Sequence, residues 1–111
     1  MEISIKVRDE REVERIMLIL ILGISTALER KVISIEEAEN FLYSPYSMER
    51  LKKIGVKENI VNLIHLGSEL ENVERLIPDK LLVSIDDIKE RALEILQKIP
   101  KDTMPTKKWI D

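Results

Sequence analysis

Apolar positions recur along this chain in two rhythms, and one stretch breaks both. At the start, Ile3, Ile5 and Val7 alternate with Glu2, Ser4 and Lys6, the period of a half-buried strand. Such a strand needs a partner for its backbone groups. Residues 31–33, residues 81–83 or the same strand of a second copy each offer one. Residues 16–24 then read Ile-Met-Leu-Ile-Leu-Ile-Leu-Gly-Ile, with no charge and no alternation. Charged, helix-forming residues flank the run on both sides, over 10–15 and 25–30. These flanks predict one helix over residues 10–30 rather than a buried strand over 17–22, with Asp9 and Glu12 as a variant capping box. Val13, Met17, Leu20, Ile24 and Ala27/Leu28 form its principal stripe, and Leu18, Ile19, Ile21 and Leu22 cover the other sides. A helix that is apolar all round has no face for solvent and is expected inside other elements. Gly23 costs up to about 1 kcal/mol relative to Ala in a helix interior, so it is expected to mark the close crossing of another element.

The remainder reads as shorter capped helices. Ser34 with Glu37 opens one that carries Ala38, Phe41 and Leu42 and stops near Ser44-Pro45. Serine as N-cap and proline in the first helical position start the next, Pro45–Ile54, which Gly55 closes at C′. A helix over 57–66 follows, with Ile60, Leu63 and Ile64 facing inward. Gly67 is expected to interrupt it, and Ser68 with Glu71 to cap a further turn or two bearing Leu70, Val73, Leu76 and Ile77. Ser84 with Asp87 opens the last helix, where Ile85, Ile88, Ala92, Ile95 and Ile99 recur at threes and fours before Pro100. Residues 32–37 and 82–87 resemble one another, and recurrent capping chemistry accounts for the likeness without a duplication. The expected fold is mainly α: a single compact domain over 1–111, with one N-terminal β-strand followed by a long buried central helix wrapped by four or five shorter helices. Residues 101–111 form a tail expected to dock through Trp109, since a large aromatic gains most from burial.

Composition narrows the class. With 111 residues, 44% of them apolar and 35% charged, the chain suits one folded domain rather than a disordered segment. Zero cysteines exclude disulfides and thiolate metal sites and suit a reducing cytoplasm. The uncharged run has nine residues, where a membrane span needs roughly 20. The N-terminus lacks a basic region leading into an apolar stretch, so no secretory signal is expected and the localisation read from sequence is cytoplasmic. The net charge of −3 is unevenly placed: residues 34–80 carry nine acids against six bases, while the segments on either side balance. Within 58–79, Glu58, Glu69, Glu71, Glu74 and Asp79 face Arg75 alone. This pattern argues against general affinity for nucleic acid or an anionic membrane and in favour of a basic protein partner, or of solubility alone.

Candidate chemistry is sparse. His65, the one histidine, shares the helical spacing i, i+4, i+7, i+11 with Glu58, Asn62 and Glu69. One histidine among scattered carboxylates is a weak ligand set, so no metal, cofactor or catalytic residue is assigned and no enzyme is expected. Glu36-Glu37 and Asp86-Asp87 are accounted for by the preference for acids at helix starts. No phosphate-binding glycine loop, nucleophile elbow or calcium loop is present. Residues 46–66 have the form of a helix-turn-helix unit, with Lys57, Glu58, Asn59, Asn62 and His65 on the would-be recognition helix. That helix lacks arginine and precedes an acidic stretch, whereas phosphate contacts supply most DNA affinity. A plain helical corner is the better reading, with DNA binding the alternative. Tyr43, Tyr46 and Met48 around Ser44-Pro45 form a polar-aromatic cluster that is expected to staple two helices.

Three stretches together resemble a small bacterial family of about this length: Leu42-Tyr43-Ser44-Pro45-Tyr46, Leu63-Ile64-His65-Leu66-Gly67-Ser68-Glu69-Leu70-Glu71-Asn72-Val73, and Leu76-Ile77-Pro78. That family is a domain of unknown function, so the resemblance implies a compact cytoplasmic bacterial protein and transfers no site residue. The leading expectation is a non-enzymatic protein-binding module, immunity-like or antitoxin-like, that meets a basic partner through Glu58, His65, Glu69, Glu71 and Glu74. A homodimer paired through the N-terminal strand is a further expectation.

Overall fold

The computed structural model describes residues 1–7, 9–100, 108 and 110. The expected docking of Trp109 therefore lies outside the described residues. The described residues form six α-helices: α1 (Glu10–Glu29), α2 (Ile35–Phe41), α3 (Pro45–Ile54), α4 (Glu58–Ser68), α5 (Leu70–Leu76) and α6 (Leu81–Lys98). A 3-10 turn, Pro78–Lys80, leads into α6.

The N-terminal strand is not present. Ile5 makes one isolated antiparallel bridge to Ile110, and no strand forms among the described residues. Neither predicted partner within the chain has strand form, because residues 31–33 are the α1–α2 turn and residues 81–83 are the first turn of α6. Alternation in sequence did not find a ladder to join: Ile3 and Ile5 are exposed, and only Val7 packs on the core. The strand edge through which two copies were expected to pair is accordingly absent from the described residues.

The long helix forms where the flanks placed it, capped by Asp9, whose carboxylate accepts from the Arg11 amide at 2.7 Å. Its burial differs from the expectation. Val13, Glu14, Leu18, Ile21, Ser25 and Leu28 are buried, while Met17, Leu20 and Ile24 of the predicted stripe are half-buried and Ile19 is 51% exposed. The helix thus has an open side, because its main partner is one helix rather than a ring of them. That partner is α6, at 18 residues nearly as long as α1 at 20. The two run antiparallel, with Leu28 near Leu81 and Ile85 at one end and Glu14 near Glu94 and Ile95 at the other. Lys89 of α6 holds Glu29 of α1 at 3.1 Å in a half-buried ion pair. The other helices pack around this pair and complete a core that includes Ile60, Ile64, Leu70, Ile85 and Ile88.

The helix ends show which local signals prevailed. Ser34 and Ser44 cap α2 and α3 through the amides of Glu37 and Ser47. Gly55 closes α3 in the left-handed region (φ 97°), where glycine carries no Cβ penalty. Lys31 adopts the same role after α1 at φ 60°, with the Lys31 and Val32 amides bonded back to Leu28 and Ala27. Two expected caps are not used. Ser84 lies inside α6, because Pro78 starts a turn that runs straight into the helix at Leu81. Ser68 ends α4 rather than capping α5, and its hydroxyl donates to the His65 carbonyl. Gly67 does not interrupt α4, which continues through it, and α5 follows after the single residue Glu69, itself in right-handed helical conformation.

The glycine at a close crossing is Gly67, not Gly23. A Cβ on Gly23 would meet nothing within 4 Å, since that residue faces the open side of α1. A Cβ on Gly67 would lie 2.4 Å from Cγ of the Tyr43 ring. Tyr43 is 1% exposed, donates to the Ile21 carbonyl at 3.3 Å and shares a 2.7 Å hydrogen bond with Ser25. Burial pushes its hydroxyl up to about 12, with the Ser25 hydrogen bond acting weakly in the opposite direction. Of the polar-aromatic cluster, Tyr43 is therefore the staple, while Tyr46 is exposed.

Two predictions follow from this packing. Gly67→Ala should destabilise by about 1–3 kcal/mol through overpacking, whereas Gly23→Ala should stabilise by up to about 1 kcal/mol through helix propensity; urea titrations of the two variants separate the outcomes. Tyr43→Phe and Ser25→Ala should each cost about 0.5–2 kcal/mol, and the double variant less than their sum. The raised hydroxyl adds an alkaline signature. Its contribution to stability is complete below the unfolded tyrosine value near 10 and is lost as pH rises through about 12. Melts across that window should show a loss in the wild type that is smaller in Tyr43→Phe.

Candidate functional site

The sequence treats residues 58–79 as one acidic face, and the structure divides it. Glu58 stands at the exposed start of α4. His65 and Glu69 are paired with one another, Nε2 to Oε1 at 3.9 Å, on an exposed helical surface. α4 ends between them, at Ser68 rather than at Gly67, but Glu69 keeps a right-handed helical conformation, which leaves the two side chains within one turn. Glu69 also accepts from Asn72, whose own side-chain oxygen accepts from Arg75, so this edge is tied together by its own side chains.

Glu71 and Glu74 belong elsewhere. They line a groove of about 1000 Å³ at the end of the α1/α6 pair, walled by α2, α5 and the start of α6. Opposite them stand Glu36 and Glu39 of α2, with Asn40 beside them, and the floor is apolar: Leu28, Ile33, Ile35, Leu81, Leu82 and Ile85. Sequence reading missed Glu36 and Glu39, because acids in a first turn are already accounted for by the helix dipole. The usable signal was their spacing: at i and i+3 they share one helical side, and Glu39 lies past the first turn, where the dipole no longer accounts for it.

The electrostatics of the groove are not internally matched. Among the described residues no Lys or Arg forms an ion pair with Glu36, Glu39, Glu71 or Glu74, although Lys31 lines the rim. The Glu39 carboxyl is raised above its ordinary 4.5, first by desolvation and then by Glu71, which is near enough to share its proton, with Glu36 adding to the effect. Like charges held this close favour the protonated form. Elsewhere the described residues satisfy their polar groups, and no buried side-chain nitrogen or oxygen is without a partner.

The helix-turn-helix alternative has its two helices in α3 and α4, with Asn59, Asn62 and His65 exposed. Its electrostatics oppose phosphate. Buried Glu14 of α1 accepts the Lys57 amide at 3.0 Å, replacing a side-chain cap at the start of α4. A second carboxylate, Glu10, lies against Gly55 in the same turn. Negative charge thus already occupies the helix start that a DNA reader would bring towards the backbone. Among the described residues no three His, Asp or Glu side chains come together as metal ligands, and no helix is long and apolar enough to cross a membrane.

Glu39→Gln tests the repulsion in the groove. A carboxyl raised on folding contributes stability fully below its unfolded value and loses it as pH rises through the folded one. The variant should therefore melt higher than wild type at about pH 7, with the gain shrinking as pH falls towards 4.5; thermal melts at the two pH values check this.

No curated protein matches the chain, and no solved structure matches it. The match found is to a family profile that covers residues 8–111, which includes all of α1 to α6 and both walls of the groove. The chain belongs to that family, described as Protein of unknown function (DUF3969), as its Leu42–Tyr46, Leu63–Val73 and Leu76–Pro78 stretches had suggested.

Proposed function

We propose that this protein is a non-enzymatic binding module that receives a basic protein segment in the groove between α2, α5 and α6. The observation that carries the reading is the gathering of four glutamates, none of which forms an ion pair among the described residues, beside an apolar floor. Carboxylates left without a counter-charge cost stability, and a partner that supplies cations removes that cost on binding. The floor adds affinity by burying apolar surface, of which Leu82 alone is 54% exposed. A small acidic protein that neutralises a basic one, as immunity proteins and antitoxins do, fits this description by type. Of the residues expected from sequence to meet the partner, Glu71 and Glu74 line the groove and are assigned the contact in this reading, together with Glu36 and Glu39. Glu58, His65 and Glu69 lie outside the groove and are assigned no part in it.

Charge reversal separates the two sets. Glu71→Lys with Glu74→Lys should abolish capture of a basic partner, whereas Glu58→Lys or Glu69→Lys should leave it within about twofold. Co-purification followed by titration at rising salt is the measurement, with affinity falling as the Debye length shrinks from about 10 Å at 0.1 M. Equal loss in both sets would remove the groove from the interaction.

A further inference from the structure

The walls of the groove restrict what shape of segment fits it. Most of the lining is helical, from α2, α5 and the first turns of α6, and the α1–α2 turn at Lys31, Ile33 and Ser34 completes it. Helices satisfy their own backbone groups and present no strand edge. An extended segment laid over the apolar floor finds no strand edge to pair with, and each of its backbone groups that the floor screens from water would cost roughly 1–3 kcal/mol. An occupant that carries its hydrogen bonds internally avoids that cost.

The carboxylates have a matching rhythm. Glu36 and Glu39 are three residues apart on α2, and Glu71 and Glu74 are three apart on α5, so each wall offers two acids about one helical turn apart. The two walls pack against one another. Side chains four residues apart on an incoming helix have the same spacing of about 5–6 Å, while same-face side chains of an extended strand recur at about 6.6–6.8 Å. The size is consistent as well. Two turns of a helix about 10 Å across and 11 Å long occupy on the order of 900 Å³, close to the 1000 Å³ of the groove.

From this we infer that the occupant is a short amphipathic α-helix of a partner protein. It carries two lysines or arginines one turn apart, which enter between the carboxylates of α2 and α5, and leucine-like residues on the same side, which meet Leu82 and the floor. This inference rests on the groove reading above and adds the shape and register of the partner.

Synthetic peptides of roughly 14 residues, long enough to be partly helical, test it against the full chain by fluorescence anisotropy. One peptide places Lys at i and i+4 with Leu on the same face. A second has the same composition with Lys and Leu on opposite faces, and a third is the first with a central proline. The inference expects the first peptide to bind at least about tenfold tighter than the other two, and expects Glu39→Gln with Glu71→Gln to weaken it by a similar factor. Equal binding of all three that is still weakened by the glutamine pair would overturn the helical occupant and leave the groove reading standing. Binding indifferent to the glutamine pair, or no binding of any peptide, would overturn both. Circular dichroism of the double variant confirms that it is folded, and Glu58→Gln with Glu69→Gln gives the control for charge loss outside the groove.

Discussion

The packing depends on one side chain held between two helices. Tyr43 enters the core from the α2–α3 connection, lays its ring on the backbone of α4 at Gly67, and places its hydroxyl on Ser25 and the Ile21 carbonyl of α1. A ring that close to a helix backbone admits no Cβ at the point of contact, so the spacing of α4 from Tyr43 requires glycine there. The hydroxyl in turn needs a partner in a site that water does not reach. The Ser25 hydroxyl, fully buried on α1, meets that need. The three residues belong to different parts of the chain, and each is the condition for burying the others.

A second polar contact has a similar form. The start of α4 has no cap of its own, and Glu14 reaches it from α1 to take the Lys57 amide. Both buried polar residues of α1 thus act across to other elements rather than within their own helix. Satisfied polarity inside the fold contrasts with unmatched charge at its end. The groove gathers four glutamates over apolar residues, and Glu39 holds its proton more firmly because of desolvation first and the facing Glu71 second. Such a concentration is tolerable near solvent, where charges are screened, and leaves a surface suited to cations with apolar neighbours.

Local chemistry was legible residue by residue. Asp9, Ser34, Ser44 and Gly55 each mark a helix end because a cap is settled by the few residues around it. Signals that depend on competition were not. Ser34 and Ser84 stand in nearly the same local sequence, yet the first caps a helix and the second lies within one, since Pro78–Lys80 had already started α6. Gly23 and Gly67 are both helical glycines, and the sequence does not say which of them a ring will cover. The alternation of Ile3, Ile5 and Val7 has the period of a strand without the neighbour that would make it one.

The same division runs through the candidate site. Sequence alone determined the mainly helical class, the family to which the chain belongs and the acidic excess of residues 34–80. It named Glu71 and Glu74 as candidates, which line the groove, but grouped them with Glu58, His65 and Glu69, which neighbour them in the chain and lie outside the groove. Tertiary structure replaced those companions with Glu36 and Glu39, more than thirty residues upstream, because α2 packs on α5. Charge along a chain is additive and can be counted, whereas a site is made by which faces meet, and that follows from packing between elements remote in sequence.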